Sequence, residues 1–277
     1  MIRHLNHGKK ELFPAMMEFI KTLARQAGAI ALADGMRLQS ANIHTKATAR
    51  DLVTDTDRKV EEFIFSELAK RFPDYGIYGE ESGGEHAERE YCFVIDPIDG
   101  TTSFVRGFPN WSVSIGLTRN GRSVAGAVYQ PATDELYYAE EGKGSFVNGL
   151  RLQVSRREHL EECVLITGFA CLRAQFKEEN NLKFVARIAP QLTDLRKFGS
   201  AALDCCLTAR GSADGFWELF LQPYDVAAGT VIVREAGGTV TDLFGGGEFP
   251  GSGFICTNGK IHEKLLKYFY DFKNLRR

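Results

Sequence analysis

The chain has almost no net charge: 34 Lys and Arg stand against 36 Asp and Glu, a balance of −2. That excludes a general electrostatic attraction to nucleic acid or to an anionic membrane. An anionic ligand would need a local device, such as a bound cation or a helix N-terminus. No uninterrupted apolar run reaches the roughly 20 residues of a membrane span. The opening stretch MIRHLNHGKKELF also lacks the apolar core of a signal peptide. Both point to a cytoplasmic protein with no membrane partner. The six cysteines (Cys92, Cys163, Cys171, Cys205, Cys206, Cys256) show no CxxC spacing and mostly have apolar neighbours. They read as small core residues of a reducing compartment, not as disulfides or a zinc site. The six histidines are scattered without ligand spacing. No GxxxxGK[ST] occurs, and EGKGSF has the wrong glycine spacing for a phosphate loop. No GxGxxG opens a helix, and DTDRKVEEF lacks the central glycine and final glutamate of an EF-hand.

What is there is the pattern of a soluble α/β chain. With 277 residues, 44% hydrophobic and 25% charged, it can bury a substantial core as one large domain or two small ones. Apolar residues at helical spacing predict a helix from Phe13 to Leu32 and another from about Asp55 to Arg71, with Thr54 as N-cap and RFPD as stop. YGIYGEES and YCFVIDP read as short strands separated by a polar loop, GGEHAERE. WSVSIGLTRNGRSVAGAVYQP alternates about Asn120-Gly121, a hairpin signal, and ELYYAEEGKGSFVNG continues an antiparallel meander. Beyond Arg151 a polar helix is expected from Lys177 to Leu192. AALDCCLTARGS follows as a helix, ADGFWEL as a strand and YDVAAGTVIVREAGG as a helix. TVTDLF and GFICTN are read as strands, ahead of a closing KIHEKLLKYFYDF. Paired strands with intervening helices argue for a layered α/β fold, not a repeating βαβ barrel. Nothing divides the chain beyond a soft seam near Arg151, so residues 1–277 are taken as one domain.

Acidic residues gather at the ends of these elements: Asp51, Asp55 and Asp57 in RDLVTDTDRKVEE, Glu80 and Glu81 in GEES, Asp96 and Asp99 in VIDPIDGTTSF, and Asp225 in YDVAAG. Buried charge is costly unless paired or bound to metal, and hard divalent cations take oxygen ligands of this kind from separate elements. In DPIDGTT, Asp96 precedes a proline and is held extended. Pro97 has no N–H and lets the chain turn so that Asp99 faces the same point. The Ile98 carbonyl is then left outside any ladder as a neutral oxygen ligand. Gly100 permits close backbone approach, and Gly100-Thr101-Thr102 opens a short helix whose free N–H groups suit an anion. Each piece also has a plainer reading. DPIDG alone reads as a turn before it reads as a site, Asp55 as a solvated helix-cap acid, GEES as a loop, and Glu218 as a solvated strand-end carboxylate.

Together, DLVTDTD, GEES, VIDPIDGTTSF and YDVAAGTVIVREAGG stand in the order and spacing of the inositol monophosphatase family of Mg²⁺-dependent, lithium-sensitive sugar phosphatases. The chain resembles that family from about Lys46 to the C-terminal region, and DPIDGTT with a distant DVAAG is a highly specific pair. The resemblance implies a five-layer αβαβα fold, a homodimer, two or three Mg²⁺ ions per site, and a small phosphate ester as substrate. It puts Glu80, Asp96 and the Ile98 carbonyl on a first metal, Asp96, Asp99 and Asp225 on a second, and Glu80 on a third, weaker one. Gly100 and Thr101 match phosphate-binding positions, with Lys46 a basic position near them. Asp57 and Thr101 match a pair that orients the attacking water. Gly199, Ser200, Ala201 and Glu218 match positions facing sugar or inositol hydroxyls, with Asp99 and Asp225 also near the substrate. Tyr224 replaces the usual tryptophan and Ser103 a common asparagine, which bears on substrate preference. Thr102, in place of the lysine of DGTK relatives, points away from nucleotide 3'-phosphatases and histidinol-phosphate phosphatases. The expectation is direct attack by water on inositol monophosphate or a related sugar phosphate, with fructose 1,6-bisphosphatase or a broad-specificity member of the same family as the alternative. DTDRK resembles the aspartyl nucleophile of haloacid-dehalogenase phosphatases only superficially, since it stands at a helix start after a polar stretch.

Overall fold

The computed structural model of the chain describes residues 5–36, 43–46, 52–85, 87–169, 172, 180–247 and 253–269. Asp51 and Cys171 lie outside these residues, as does the chain beyond 269.

Helix α1 (Leu5–Gly35) begins well ahead of the expected Phe13. Strands β1 (Ile43–Thr45) and β2 (Leu52–Thr54) form a small antiparallel ribbon that leads into α2 (Asp55–Arg71). The Thr54 side chain accepts from the Asp57 N–H, and the Asp57 carboxylate accepts from the Thr54 N–H at 2.8 Å, a reciprocal cap. Both helices pack on one face of an eight-stranded sheet through Ile20, Leu23, Ile64 and Leu68. That sheet comprises β3 (Gly76–Gly79), β4 (Gly83–Glu85), β5 (Tyr91–Asp99), β6 (Ser112–Arg119), β7 (Arg122–Gln130), β8 (Glu135–Glu140), β9 (Gly144–Val147) and β10 (Leu150–Arg151). Their order is β10-β9-β8-β7-β6-β5-β3-β4, with only β3 and β5 parallel. The expected polar loop GGEHAERE therefore contributes a strand, β4, because the chain after Glu80 doubles back on β3. Asn120 and Gly121 both have positive φ (49° and 79°), as the two-residue hairpin turn requires.

After β10 the chain builds a second sheet from β11 (Val164–Thr167), β12 (Asp194–Arg196), β13 (Gly215–Glu218), β14 (Thr239–Asp242) and β15 (Phe254–Thr257), in the order β12-β11-β13-β15-β14. Helices α4 (Leu182–Ile188) and α7 (His262–Leu266) cover its outer face. The expected polar helix from Lys177 is thus shorter within the described residues, and from Ala189 it tightens into a 3₁₀ turn containing Pro190. Helices α5 (Ala201–Ala209) and α6 (Pro223–Glu235) fill the space between the sheets. The layers are α1/α2, sheet, α5/α6, sheet, α4/α7, the expected αβαβα arrangement.

α6 runs close against the first sheet because Gly116 and Gly126, paired across β6 and β7, leave a slot for it. A Cβ on Gly116 would come 2.7 Å from Ala227 Cβ, and one on Gly126 2.7 Å from Ala228 Cα. Every residue from Val226 to Val233 is buried, as a helix between two sheets demands. This contact sets the N-terminus of α6, and Asp225 with it, beside the end of β5.

α5 carries an unusual carboxyl group into the same layer. Asp204 is 1% exposed, and its Oδ1 has no hydrogen-bond partner among the described residues. Burial, and then the charges of Glu218 and Asp99, push its carboxyl well above the ordinary value of 3.8. The folded chain keeps a proton that the unfolded chain releases, so stability falls as pH rises above that ordinary value. Asp204→Asn, of equal size and with no proton to lose, is expected to gain stability relative to the parent as pH rises, by up to ~1.4 kcal/mol per pH unit. Urea unfolding in chelator at about pH 5 and about pH 8 measures this; an advantage that does not grow with pH overturns the reading.

Candidate active site

β5 is buried over Cys92–Asp99, and its end is irregular. Asp96 pairs with Ser114 and Asp99 with Ser112, so Pro97 and Ile98 together oppose Val113 in a bulge. Pro97 has no N–H to give the ladder. The Ile98 N–H instead turns back to Asp96 Oδ1 at 3.1 Å, and the Ile98 carbonyl accepts from Thr101 Oγ1 at 3.2 Å. Gly100 follows with φ 94°, and a Cβ there would stand 2.8 Å from the Asn110 carbonyl, so the turn requires glycine. Helix α3 (Thr101–Arg106) opens at once. Its hydrogen bonds start at the Ser103 N–H, which leaves those of Thr101 and Thr102 outside the ladder.

The bulge brings Asp96 and Asp99 together, and α6 adds Asp225. Each of the three offers an oxygen, and these lie within 4.8 Å of one another. Asp99 accepts from the Ser200 hydroxyl at 2.5 Å and from the N–H groups of Ala201 and Ala202 at 3.1 and 2.7 Å, the first turn of α5. Asp225 accepts from the Gln222 N–H at 2.5 Å, within the cap of α6. Burial pushes the Asp99 carboxyl up to about 6, held there by the Ser200, Ala202 and Ala201 hydrogen bonds. Asp96 is driven well above the carboxylate range by burial and then by the charges of Glu80, Asp99 and Asp225. Asp225 follows for the same reasons, burial first and then Glu80 and Asp99.

Glu80 stands just past β3, its N–H bonded to the Ile95 carbonyl at 3.2 Å, and its side chain shares a hydrogen bond with Asp96. Lys46 reaches both Glu80 and Glu81 at 2.7 Å. Burial alone would lower the Lys46 ammonium, but the charges and hydrogen bonds of the two glutamates outweigh it and push it up. The structure therefore places Lys46 on the acids of the cleft. Burial raises Glu81 to about 7 against the pull of Lys46. Asp57, fully buried, accepts from the Thr54 hydroxyl at 2.5 Å and lies 3.3 Å from Thr101 Oγ1; burial lifts it to about 6 against the Thr54 hydrogen bonds. Asp55 is exposed and pairs with His44 at 2.9 Å, the solvated-cap reading.

A cleft of about 300 Å³ is lined by Glu80, Asp96, Asp99, Gly100, Thr101 and Asp225. Gly199, Ala201 and Glu218 line it as well. Glu218 is 6% exposed, so it is not a solvated strand end. Ser200 and Ala201 spend donors on Asp99 and so act within the acid cluster. Tyr224, in the position usual for tryptophan, packs against Tyr78 with ring centres 5.9 Å apart. Sequence reasoning missed Phe169, Lys197 and Phe220, which also line the cleft, and Glu61, which is buried on α2. None stands in a motif, and only the spacing of Glu61, four residues after Asp57, signals a shared helix face.

The donor set fits a hard divalent cation. The clustered ligand atoms are carboxylate oxygens with a carbonyl beside them. Burial and mutual repulsion disfavour ionisation of Asp96 and Asp225, and a cation held among them would favour it. Asp96, Asp99 and Asp225, with Glu80 and the Ile98 carbonyl, could hold such ions.

A family model described as the inositol monophosphatase family matches residues 15–273. A fructose-1,6-bisphosphatase/inositol-1-monophosphatase from Thermotoga maritima is 39% identical over 253 residues, 91% of this chain and 94% of that protein. A Nus factor SuhB from Pasteurella multocida is 39% identical over 258 residues, again 91% and 94% of the two chains. The crystal structure of extragenic suppressor protein suhB from Bartonella henselae superposes with a TM-score of 0.85 at 39% identity, over 92% of this chain and 98% of that one. The fold, the acid-rich cleft and these likenesses agree: the chain is a phosphatase, a phosphoric monoester hydrolase, and belongs to the inositol monophosphatase family.

Proposed function

We propose that the chain hydrolyses inositol monophosphate or a related sugar phosphate with Mg²⁺ as cofactor. The observation that carries this is the convergence of Asp96, Asp99 and Asp225 within 4.8 Å, beside the first turn of α3. In this reading Glu80, Asp96 and the Ile98 carbonyl hold one ion, Asp96, Asp99 and Asp225 a second, and Glu80 serves a third. When bound, the ions offset charge on the phosphate and favour ionisation of a water. The N–H groups of Thr101 and Thr102, with Gly100 allowing close approach, face the phosphate. Thr101 Oγ1 has one proton and two acceptors in reach, Asp57 and the Ile98 carbonyl. Given to Asp57, that proton leaves the hydroxyl oxygen free to accept from the attacking water, and Asp57 fixes its direction. Glu218, with Gly199 and Ala201, faces the hydroxyl side of the substrate.

The relatives' names divide the substrate between inositol phosphate and fructose 1,6-bisphosphate, and a phosphate-release panel over both separates them. The Nus-factor name belongs to the relatives that carry it; a net charge of −2 offers no general attraction to nucleic acid. Sensitivity to Li⁺, a homodimer and a cytoplasmic location belong to the same proposal. No described helix is long and apolar enough to cross a membrane.

Activity is expected to vanish in EDTA and return with Mg²⁺; full turnover in chelator refutes the metal reading. Asp96→Asn, which alters the residue assigned to both ions, is expected to lower kcat about 100-fold or more even at saturating Mg²⁺. Near-normal turnover of that variant would remove Asp96 from its bridging place. Glu218→Gln is expected to lower kcat/KM for polyol phosphates about 10- to 150-fold, the equivalent of about 1.5–3 kcal/mol for a charged hydrogen bond, while sparing p-nitrophenyl phosphate, which lacks the hydroxyls. Equal losses on both esters would make Glu218 a scaffold or metal-support residue.

A further inference from the structure

Glu61 is a second buried carboxylate on α2, 3% exposed, one turn beyond Asp57 and on the same face of the helix. It faces no cation. Its two oxygens instead take the successive N–H groups of the turn after β3: Glu81 N–H to Oε2 at 2.9 Å and Ser82 N–H to Oε1 at 2.8 Å. The approach is close enough that a Cβ on Gly79 would stand 2.3 Å from Glu61 Oε2, so a larger residue there would displace the carboxylate. A cavity of about 450 Å³, lined by Arg58, Phe65, Glu81 and Gly84 among others, borders this turn. The turn therefore has open space along one side, and the Glu61 pair ties it to the helix. The turn carries Glu80 and Glu81, whose carboxylates share Lys46.

We propose that Glu61 is a positioning residue: its carboxylate clamps the Glu80–Ser82 turn to α2 and so sets where Glu80 offers its oxygens to a cation. The inference rests on the metal-dependent reading above. One rigid helix then references both parts of the site, Asp57 toward Thr101 and Glu61 toward the Glu80 turn. Charge-assisted hydrogen bonds to backbone N–H groups are strong and directional. Changing an outer partner of a metal ligand typically costs 10- to 100-fold in metal affinity or activity.

The test compares wild type, Glu61→Gln and, as a packing control on the same helix, Leu68→Ala, whose side chain is fully buried in the core. Mg²⁺ binding is measured by titration calorimetry, the Mg²⁺ dependence of phosphate release by steady-state kinetics, and thermal stability in EDTA. Glu61→Gln is expected to raise the Mg²⁺ dissociation constant and half-saturation about 10-fold or more, with kcat at saturating Mg²⁺ kept within about threefold. Leu68→Ala is expected to lower the melting temperature without that shift. Should Glu61→Gln fail to fold, Glu61→Asp, which keeps the charge and shortens the reach, carries the same comparison. An unchanged Mg²⁺ requirement in Glu61→Gln, or an equal shift in Leu68→Ala, overturns the clamp while leaving the metal reading intact. A wild-type protein that binds no Mg²⁺ overturns both.

Discussion

The constraint on which the rest depends is the repulsion among carboxylates gathered out of water. Two full charges about 4 Å apart repel by ~4 kcal/mol at the effective dielectric of a protein surface, and here three acids converge with Glu80 beside them. The fold answers with helix N-termini. Asp99 takes the opening N–H groups of α5, Asp225 closes the cap of α6, and Asp57 closes the cap of α2. Each helix start places unsatisfied donors and a partial positive charge where an acid stands. The same interactions that begin three helices therefore hold three carboxylates in place.

Convergence also needs the two sheets to lie at a set distance, and small residues provide it. The paired Gly116 and Gly126 admit α6 against the first sheet, while Gly229 faces Cys205 of α5, whose Sγ would lie 2.8 Å from an added Cβ. Middle-layer helices packed this closely cannot slide, so Asp225 on α6 and the Ser200–Ala202 turn of α5 keep their register with the end of β5. The acid cluster is thus assembled from both halves of the chain: β3 and β5 before Arg151, α5 and α6 after it.

Much of this was legible in the sequence because the signals are local. Thr54 caps the helix that Asp57 helps to start, Asn120-Gly121 fits one kind of turn, and the turn at Pro97 that aims Asp99 follows from a proline's fixed φ and missing N–H. The layered order could be read from strand and helix patterns, and the resemblance supplied the αβαβα stacking. What escaped depends on tertiary placement. β4 forms because β3 offers it an edge, although GGE has little strand propensity of its own. Glu218 looks solvated in ADGFWEL, and only the fold buries it. Glu61 reads as one more acid on a charged helix until the Glu80 turn is brought against it. Lys46 reads as a phosphate-side cation, and the structure pairs it with Glu80 and Glu81.

The acids of the cluster are also not equivalent, and their hydrogen bonds rank them. Asp99 has three donors, a hydroxyl and two backbone N–H groups, and rises only to about 6. Asp96 has a single backbone donor, the Ile98 N–H, and a hydrogen bond with Glu80 that raises it further. Protein dipoles alone therefore go far toward keeping Asp99 ionised but leave Asp96 dependent on an external positive charge. The bulge is the reason: it spends the Ile98 N–H on Asp96 and has no second donor to offer, because the neighbouring residue is Pro97. A proline that shapes the turn thus also withholds the hydrogen bond that would make the central carboxylate self-sufficient. In the proposed reading Asp96, less supported by the protein than Asp99, is the one shared between two ions, so the protein's own deficit falls where the cofactor supplies most charge.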